Sequence, residues 1–214
     1  MDIAGRVALV TGASVGSGRA IAQRLLDEGA DVISADVGAD PGVGRYLKLD
    51  VTDDAALIVA LDELRPAILV NNAGGGGHVP PHFPEATIAE WSGMLALNLR
   101  APMLATQHMR AGVVINVASS AGVGDEPHAS PEYSAAKAGL IRFSTAVRMP
   151  GVRVNCVVPD WLLTDRARDE LAAMTPAERE TAPDPIPLGD LSDAVVRLIV
   201  DDAASGRVIT LPAD

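Results

Sequence analysis

Tyr133 and Lys137 stand four residues apart in Tyr133-Ser134-Ala135-Ala136-Lys137. On a helix that spacing places a phenol and an ammonium on one face. A nearby cation draws a phenol pKa down from about 10, which makes the group a usable proton donor and acceptor. A second cluster is Thr11-Gly12-Ala13-Ser14-Val15-Gly16-Ser17-Gly18, the pattern T-G-x-x-x-G-x-G between a strand-like run and a helical one. Gly12, Gly16 and Gly18 permit a tight turn and let backbone N–H groups, with those of Ser14 and Val15, approach a pyrophosphate at a helix N-terminus. No Gly-Lys-Ser/Thr closes the loop, which argues against a phosphate-binding P-loop of the nucleotide triphosphatase kind. Asp36 closes the second strand, where a carboxylate binds a ribose 2′-hydroxyl and repels a 2′-phosphate. Val15 adds no positive charge there, so the pattern favours NAD(H) over NADP(H).

These residues need a frame that alternates strands with helices. Val7–Val10, Val32–Ala35, Tyr46–Leu49, Ile68–Val70, Val113–Val117, Val152–Val157 and Val208–Leu211 are short apolar runs of the buried-strand kind. Helical spacing lies between them, over about 16–28, 88–109, 133–148 and 191–200. A further helix runs from a Thr52 cap to Leu64, with Asp53 and Asp54 in its first turn. Continuous apolar strands alternating with helices predict one α/β domain, a mostly parallel sheet of about seven strands covered on both faces. Such sheets bind ligands beyond the carboxyl ends of their strands.

Composition narrows the function. Seventeen basic against 28 acidic residues give a net charge of −11, which argues against nucleic acid or an anionic membrane as partner. No run of 18 apolar residues is present, and the first residues lack a secretion signal's charged and apolar regions. The single cysteine, Cys156, fits a reducing compartment and a cytoplasmic protein. His78 and His82 are separated by Pro80 and Pro81, and His108 and His128 are scattered, so no metal is expected. Either His78 or His82 can line a substrate cleft.

Taken together, the loop at 11–18, Asn71-Asn72-Ala73-Gly74, Asn98, the Ser119-Ser120 pair and Tyr133/Lys137 occur in the order seen in short-chain dehydrogenases/reductases, and the chain resembles that family over essentially its whole length. The resemblance implies a single Rossmann-type, doubly wound domain over residues 1–214 that transfers a hydride between NAD(H) and a secondary alcohol or ketone. It implies Tyr133 as acid/base, Lys137 as its tuner and ribose ligand, a serine that orients the substrate oxygen, and Asn98 in a proton relay. Ser119, three before Gly122, matches the family pattern best; Ser120 restores the usual spacing to Tyr133, and strand register decides between them. Asn71, Ala73 and Gly74 carry over to the adenosine side, Asp50 and Val51 to the adenine, and Pro159 and Thr164 to the cofactor wall.

Departures from the family are equally specific. The chain is some tens of residues shorter than usual. Between Asp36 and Arg45 there is room for a loop and not for a helix. Joints at 64–68, 108–112 and 148–151 are also trimmed, all at the edge opposite the expected site. In the family the helices near 88–109 and 133–148 form the main dimer contact, so a weakened dimer or tetramer is expected. Pro159-Asp160 replaces the family's Pro-Gly, and a carboxylate there is expected to favour NAD⁺ over NADH. Residues 161–190, rich in proline and charge, read as a lid over substrate, with a capping pattern at Thr175-Pro176-Ala177-Glu178 and apolar contact from Leu162 and Leu163. The trimmed scaffold also admits a non-catalytic dinucleotide sensor, against which the intact four-residue site argues.

Overall fold

In the computed structural model, which describes residues 1–124 and 127–211, seven strands form one sheet: β1 (Val7–Thr11), β2 (Asp31–Asp36), β3 (Arg45–Lys48), β4 (Ile68–Asn71), β5 (Gly112–Val117), β6 (Val152–Pro159) and β7 (Val208–Leu211). Their order is β3-β2-β1-β4-β5-β6-β7 and every neighbouring pair is parallel. Parallel strands must be joined by crossovers, and the sequence supplies helices for them. These are α1 (Gly16–Asp27), α2 (Asp54–Leu64), α3 (Ile88–Leu95), α4 (Ala101–Gln107), α5 (Pro131–Ala146), α6 (Asp165–Ala173), α7 (Pro176–Thr181) and α8 (Leu188–Val200).

Both sheet faces are covered, which is why the central strands are apolar without alternation. On one face Ile21 and Leu25 of α1 and Leu191, Val195 and Leu198 of α8 pack on Val10, Val70 and Ile115. On the other, Leu57 and Leu61 of α2 and Ala101 and Ala105 of α4 pack on Leu9, Leu69 and Val114. The strand order reverses between β1 and β4, so the carboxyl ends of these strands open a crevice there.

The expected helix over 88–109 is one rod interrupted by a π-helical turn at Ala96–Arg100. It starts in a capping box in which Thr87 accepts from the Glu90 N–H and the Glu90 carboxylate accepts from the Thr87 N–H. The cap of α2 is Asp53 rather than Thr52: the Asp53 carboxylate accepts from the Ala56 N–H at 3.1 Å, while the Thr52 hydroxyl and N–H are both given to Asp50. The third strand ends at Lys48, before Leu49, because Asp50 and Thr52 turn the chain. The trimmed joints close tightly. Residues 37–44 contain no helix, and the 64–68 joint turns through Arg65, the one non-glycine residue at positive φ (+44°) among those described. Segment 161–190 is pinched at its neck, where Ile186 accepts from the Leu163 N–H at 2.8 Å and donates to the Trp161 carbonyl at 2.7 Å. Beyond that neck lie α6 and α7, and Thr175 and Glu178 form the expected capping box. No helix among the described residues is long and apolar enough to cross a membrane.

Candidate active site

The glycine-rich turn joins β1 to α1 under tight constraint. Gly12 has φ +66° and a Cβ on it would stand 2.7 Å from the Ala73 Cα. A Cβ on Gly18 would stand 2.0 Å from the Gly12 carbonyl oxygen, so the first turn of α1 sits directly on the loop. Asn72 clamps the turn: its Nδ2 donates to the Thr11 and Gly12 carbonyls, both at 3.1 Å, and its Oδ1 accepts from the Ser17 hydroxyl at 2.8 Å. Helix α1 is capped by Val15, which offers no side-chain acceptor, and no acidic residue occupies its first turn. Its leading N–H groups therefore keep their capacity and partial positive charge for an anion. Asp36 lies beside this turn, its carboxylate accepting from the Ser14 N–H and the Gly38 N–H, both at 2.8 Å. Val15 and Val37, 70% and 61% exposed, flank it without positive charge.

Across the crevice, β5 delivers the serines and α5 delivers the tyrosine and lysine. Their approach depends on Gly122, where a Cβ would stand 2.5 Å from the Ala138 nitrogen. Ser134 fastens the contact by donating to the Ala121 carbonyl at 2.6 Å. Ser119 then faces Tyr133, close enough for its hydroxyl to draw the phenol pKa down, while Ser120 donates to Asp160 Oδ1 at 2.7 Å. Lys137 is 4% exposed and its Nζ donates to the Val117 carbonyl at 3.0 Å. Burial pushes its pKa down to about 8. Its Nζ stands 5.7 Å from the centre of the Tyr133 ring. The sequence expectation was a tyrosine pKa lowered by this lysine. Instead burial dominates and the phenol pKa is raised, against lowering by Ser119 and by the Arg166 charge. The cause is geometric: the ammonium is aimed at a backbone carbonyl and not at the phenol oxygen.

Asn98 is fully buried within the π-helical turn. Its Nδ2 donates to the Gly75 and Met94 carbonyls at 3.0 and 3.1 Å, and its Oδ1 accepts from the Gly75 N–H at 2.8 Å. A Cβ on Gly74 would stand 2.7 Å from Asn98 Oδ1 and 3.1 Å from Lys137 Nζ, so Gly74 lies between the two side chains. Asn98 thus holds the loop beside the lysine.

The sequence pattern of the short chain dehydrogenase family matches residues 6–174. The chain belongs to that family. It is 34% identical to the 3-oxoacyl-[acyl-carrier-protein] reductase FabG of Escherichia coli, covering 95% of this chain and 93% of that protein. It is 32% identical to the D-threitol dehydrogenase of Mycolicibacterium smegmatis, covering 94% and 88%. Among solved structures it resembles a candidate 2-deoxy-D-gluconate 3-dehydrogenase from Agrobacterium tumefaciens with bound NADP, at 27% identity and a TM-score of 0.83, covering 99% and 97%. The Thermoplasma acidophilum aldohexose dehydrogenase, 23% identical with a TM-score of 0.84 and coverage of 98% and 93%, shares the fold.

In this short-chain dehydrogenase a cleft of about 820 Å³ runs from the glycine turn to the tyrosine. Gly12, Val15, Gly16, Ala73, Gly74, Ser119, Tyr133, Lys137, Pro159 and Thr164 all line it. Gly18 and Asn98 lie behind its wall as packing and clamping residues. Asn71 is placed elsewhere: 4% exposed, it donates to Asn116 Oδ1 at 2.8 Å, and Asn116 in turn donates to the Ser144 hydroxyl. That buried polar chain ties β4 to β5 and α5. Asp50 is taken up by Thr52, and Val51 is buried against the α2 side of the core. Asn72, which the sequence expectation does not include as a site residue, is the residue that clamps the glycine turn; its place one step beyond a strand end, in the same motif, is the signal for it. His78 lines the cleft, but His82 does not, because its Nδ1 is 2.8 Å from the buried Glu132 carboxylate. The cleft also takes in Asp160, Trp161 and Arg166.

Proposed function

We propose that the chain interconverts a secondary alcohol and a ketone using a nicotinamide dinucleotide, with NAD(H) favoured over NADP(H). The observation that carries this reading is the convergence of Tyr133, Ser119 and Lys137 at one end of a cleft whose other end is an uncapped helix N-terminus. The residues fit such a cofactor: the glycine turn leaves room for backbone contact with a pyrophosphate, and Asp36, beside that turn on the Ser14 N–H, would supply a carboxylate for a ribose hydroxyl. The bound dinucleotide supplies or takes the hydride. Tyr133 gives a proton to the carbonyl oxygen in reduction and takes it back in oxidation, and Ser119 donates a hydrogen bond to the same oxygen. Lys137, held by the Val117 carbonyl, would meet the ribose hydroxyls of a bound dinucleotide, through which a proton could pass back to the tyrosine. Asn98 positions Gly74 and Gly75 beside that lysine.

Asp36, flanked by the exposed Val15 and Val37, supports the NAD(H) preference. The α6–α7 segment, hinged at the Trp161–Ile186 neck, acts as the substrate lid. The apolar face carrying Leu95, Leu99, Met103 and Phe143 supports a homodimer, weakened by the trimmed helix ends. The lone buried Cys156 supports a cytoplasmic place.

Titration calorimetry with NAD⁺, NADH, NADP⁺ and NADPH tests the cofactor. NAD(H) is expected to bind in the micromolar range and NADP(H) at least roughly tenfold more weakly, since each 1.4 kcal/mol is a factor of ten. Tyr133→Phe is expected to keep cofactor binding and to lower turnover by roughly 10²–10⁴, the usual worth of a positioned acid/base. Unchanged turnover in that variant removes Tyr133 from the mechanism, and a protein that binds the dinucleotide but never turns over is the sensor.

A further inference from the structure

Asp160 occupies a place in the cleft that the proposed reaction does not use. Its backbone is fixed, because its N–H donates to the Leu211 carbonyl at 3.1 Å and extends the β6–β7 ladder by one bond. Its side chain is exposed within the cleft, and among the described residues it has no cationic partner. The Ser120 hydroxyl proton is spent on Asp160 Oδ1. The pair therefore offers the cleft acceptors alone: the remaining lone pairs of Ser120 Oγ and both oxygens of the carboxylate. It does so next to Ser119, which faces Tyr133. Trp161 adds an apolar wall, its indole held by the Nε1–Glu170 hydrogen bond at 3.2 Å.

A ligand group lying here must bring its own O–H or N–H donor, since a carbonyl would meet only acceptors. Arg166 and Lys137 line the same cleft and oppose an added ammonium. We propose that Asp160, positioned by Ser120, selects neutral polyhydroxylated substrates in which a second hydroxyl sits beside the reacting carbinol, and disfavours 3-oxoacyl substrates. This rests on the dehydrogenase reading above and names its substrate class. Trp161 contributes by covering the C–H surface of such a polyol.

A matched pair of alcohols isolates the effect: butane-2,3-diol and butan-2-ol differ by one vicinal hydroxyl. A hydrogen bond to a charged group is worth roughly 10- to 100-fold in kcat/KM. The wild-type protein is expected to prefer the diol by that factor, mainly through KM. It is also expected to reduce acetoin better than an acetoacetyl thioester of N-acetylcysteamine. Asp160→Asn and Asp160→Gly are expected to bring the diol preference close to one, and Ser120→Ala to lower it part-way, since the carboxylate stays but loses its anchor. A diol preference that survives both Asp160 variants overturns the proposal, as does a wild-type preference for the thioester. Calorimetry on the same variants guards against a role towards the cofactor. If Asp160→Gly shifts the ratio of NAD⁺ to NADH affinity and leaves the diol preference intact, the carboxylate serves the cofactor and the proposal falls. Absence of any alcohol oxidation or ketone reduction by wild-type protein with bound cofactor brings down the dehydrogenase reading itself.

Discussion

Lys137 should make the cofactor-free protein more stable as the solution becomes more alkaline. Its pKa falls from 10.5 to about 8 because the ammonium is buried, with the Val117 carbonyl as its one hydrogen-bond partner among the described residues. The folded state thus binds fewer protons than the unfolded state wherever pH lies between these values. Stability contributed by this site is lowest below about pH 8 and rises until pH passes 10.5. A shift of about 2.5 units corresponds to roughly 3 kcal/mol at 1.36 kcal/mol per unit. Of this, about 2 kcal/mol is recovered between about pH 7 and 9.5. At roughly 2–4 °C per kcal/mol for a chain of this size, the wild-type melting temperature should gain about 4–8 °C relative to Lys137→Met over that interval. The comparison cancels titrating groups remote from Lys137, and Cys156, which couples to the lysine but whose pKa burial pushes up to about 11, stays protonated in both folded proteins over this interval. Scanning calorimetry of both proteins at matched pH reads the difference directly. Parallel pH curves for wild type and Lys137→Met would refute the claim that the lysine is held charged at a cost, and with it the claim that burial governs its protonation.

The remaining expectations are simpler. Gly18→Ala must displace backbone, because its Cβ would meet the Gly12 oxygen at 2.0 Å and Asn72 Nδ2 at 2.5 Å; a loss of roughly 1–3 kcal/mol and at least tenfold weaker NAD⁺ binding by calorimetry is expected. Glu132 is buried, which raises its pKa, but hydrogen bonds from its own N–H, His82, Ser130 and Phe83 outweigh this and lower it from 4.5 to about 2. Its contribution is therefore present above pH 4.5 and lost as pH falls towards 2, so the urea midpoint of Glu132→Gln should be less acid-sensitive than that of wild type over this window. Arg65→Gly relieves a left-handed residue at φ +44° and should stabilise by about 0.5–1 kcal/mol, read as a higher urea midpoint with an unchanged slope.

By itself the sequence determined the parallel α/β frame and the identity of the chemical groups. Short apolar runs such as Val113–Val117, alternating with helical stretches, fit strands covered on both faces. The spacing of Tyr133 and Lys137, and of Gly12, Gly16 and Gly18, follows from local helix and turn geometry. Local geometry also made the Thr175–Glu178 capping box legible, since its partners are three residues apart. What sequence left open was every question of which side chain meets a distant one. Ser119 and Ser120 are adjacent and chemically identical; only the packing of α5 on Gly122 turns one towards Tyr133 and leaves the other to Asp160, forty residues away. Asn71 and Asn72 read alike in a motif, yet one enters the β4–β5 polar chain and the other clamps the glycine turn. Lys137 looked like a cation for the phenol, and the Val117 carbonyl across the fold claimed it instead. Hydrogen-bond partners and burial are properties of contacts between remote segments, so the direction in which a pKa moves is decided by tertiary structure even where the titrating residue is plain in the chain.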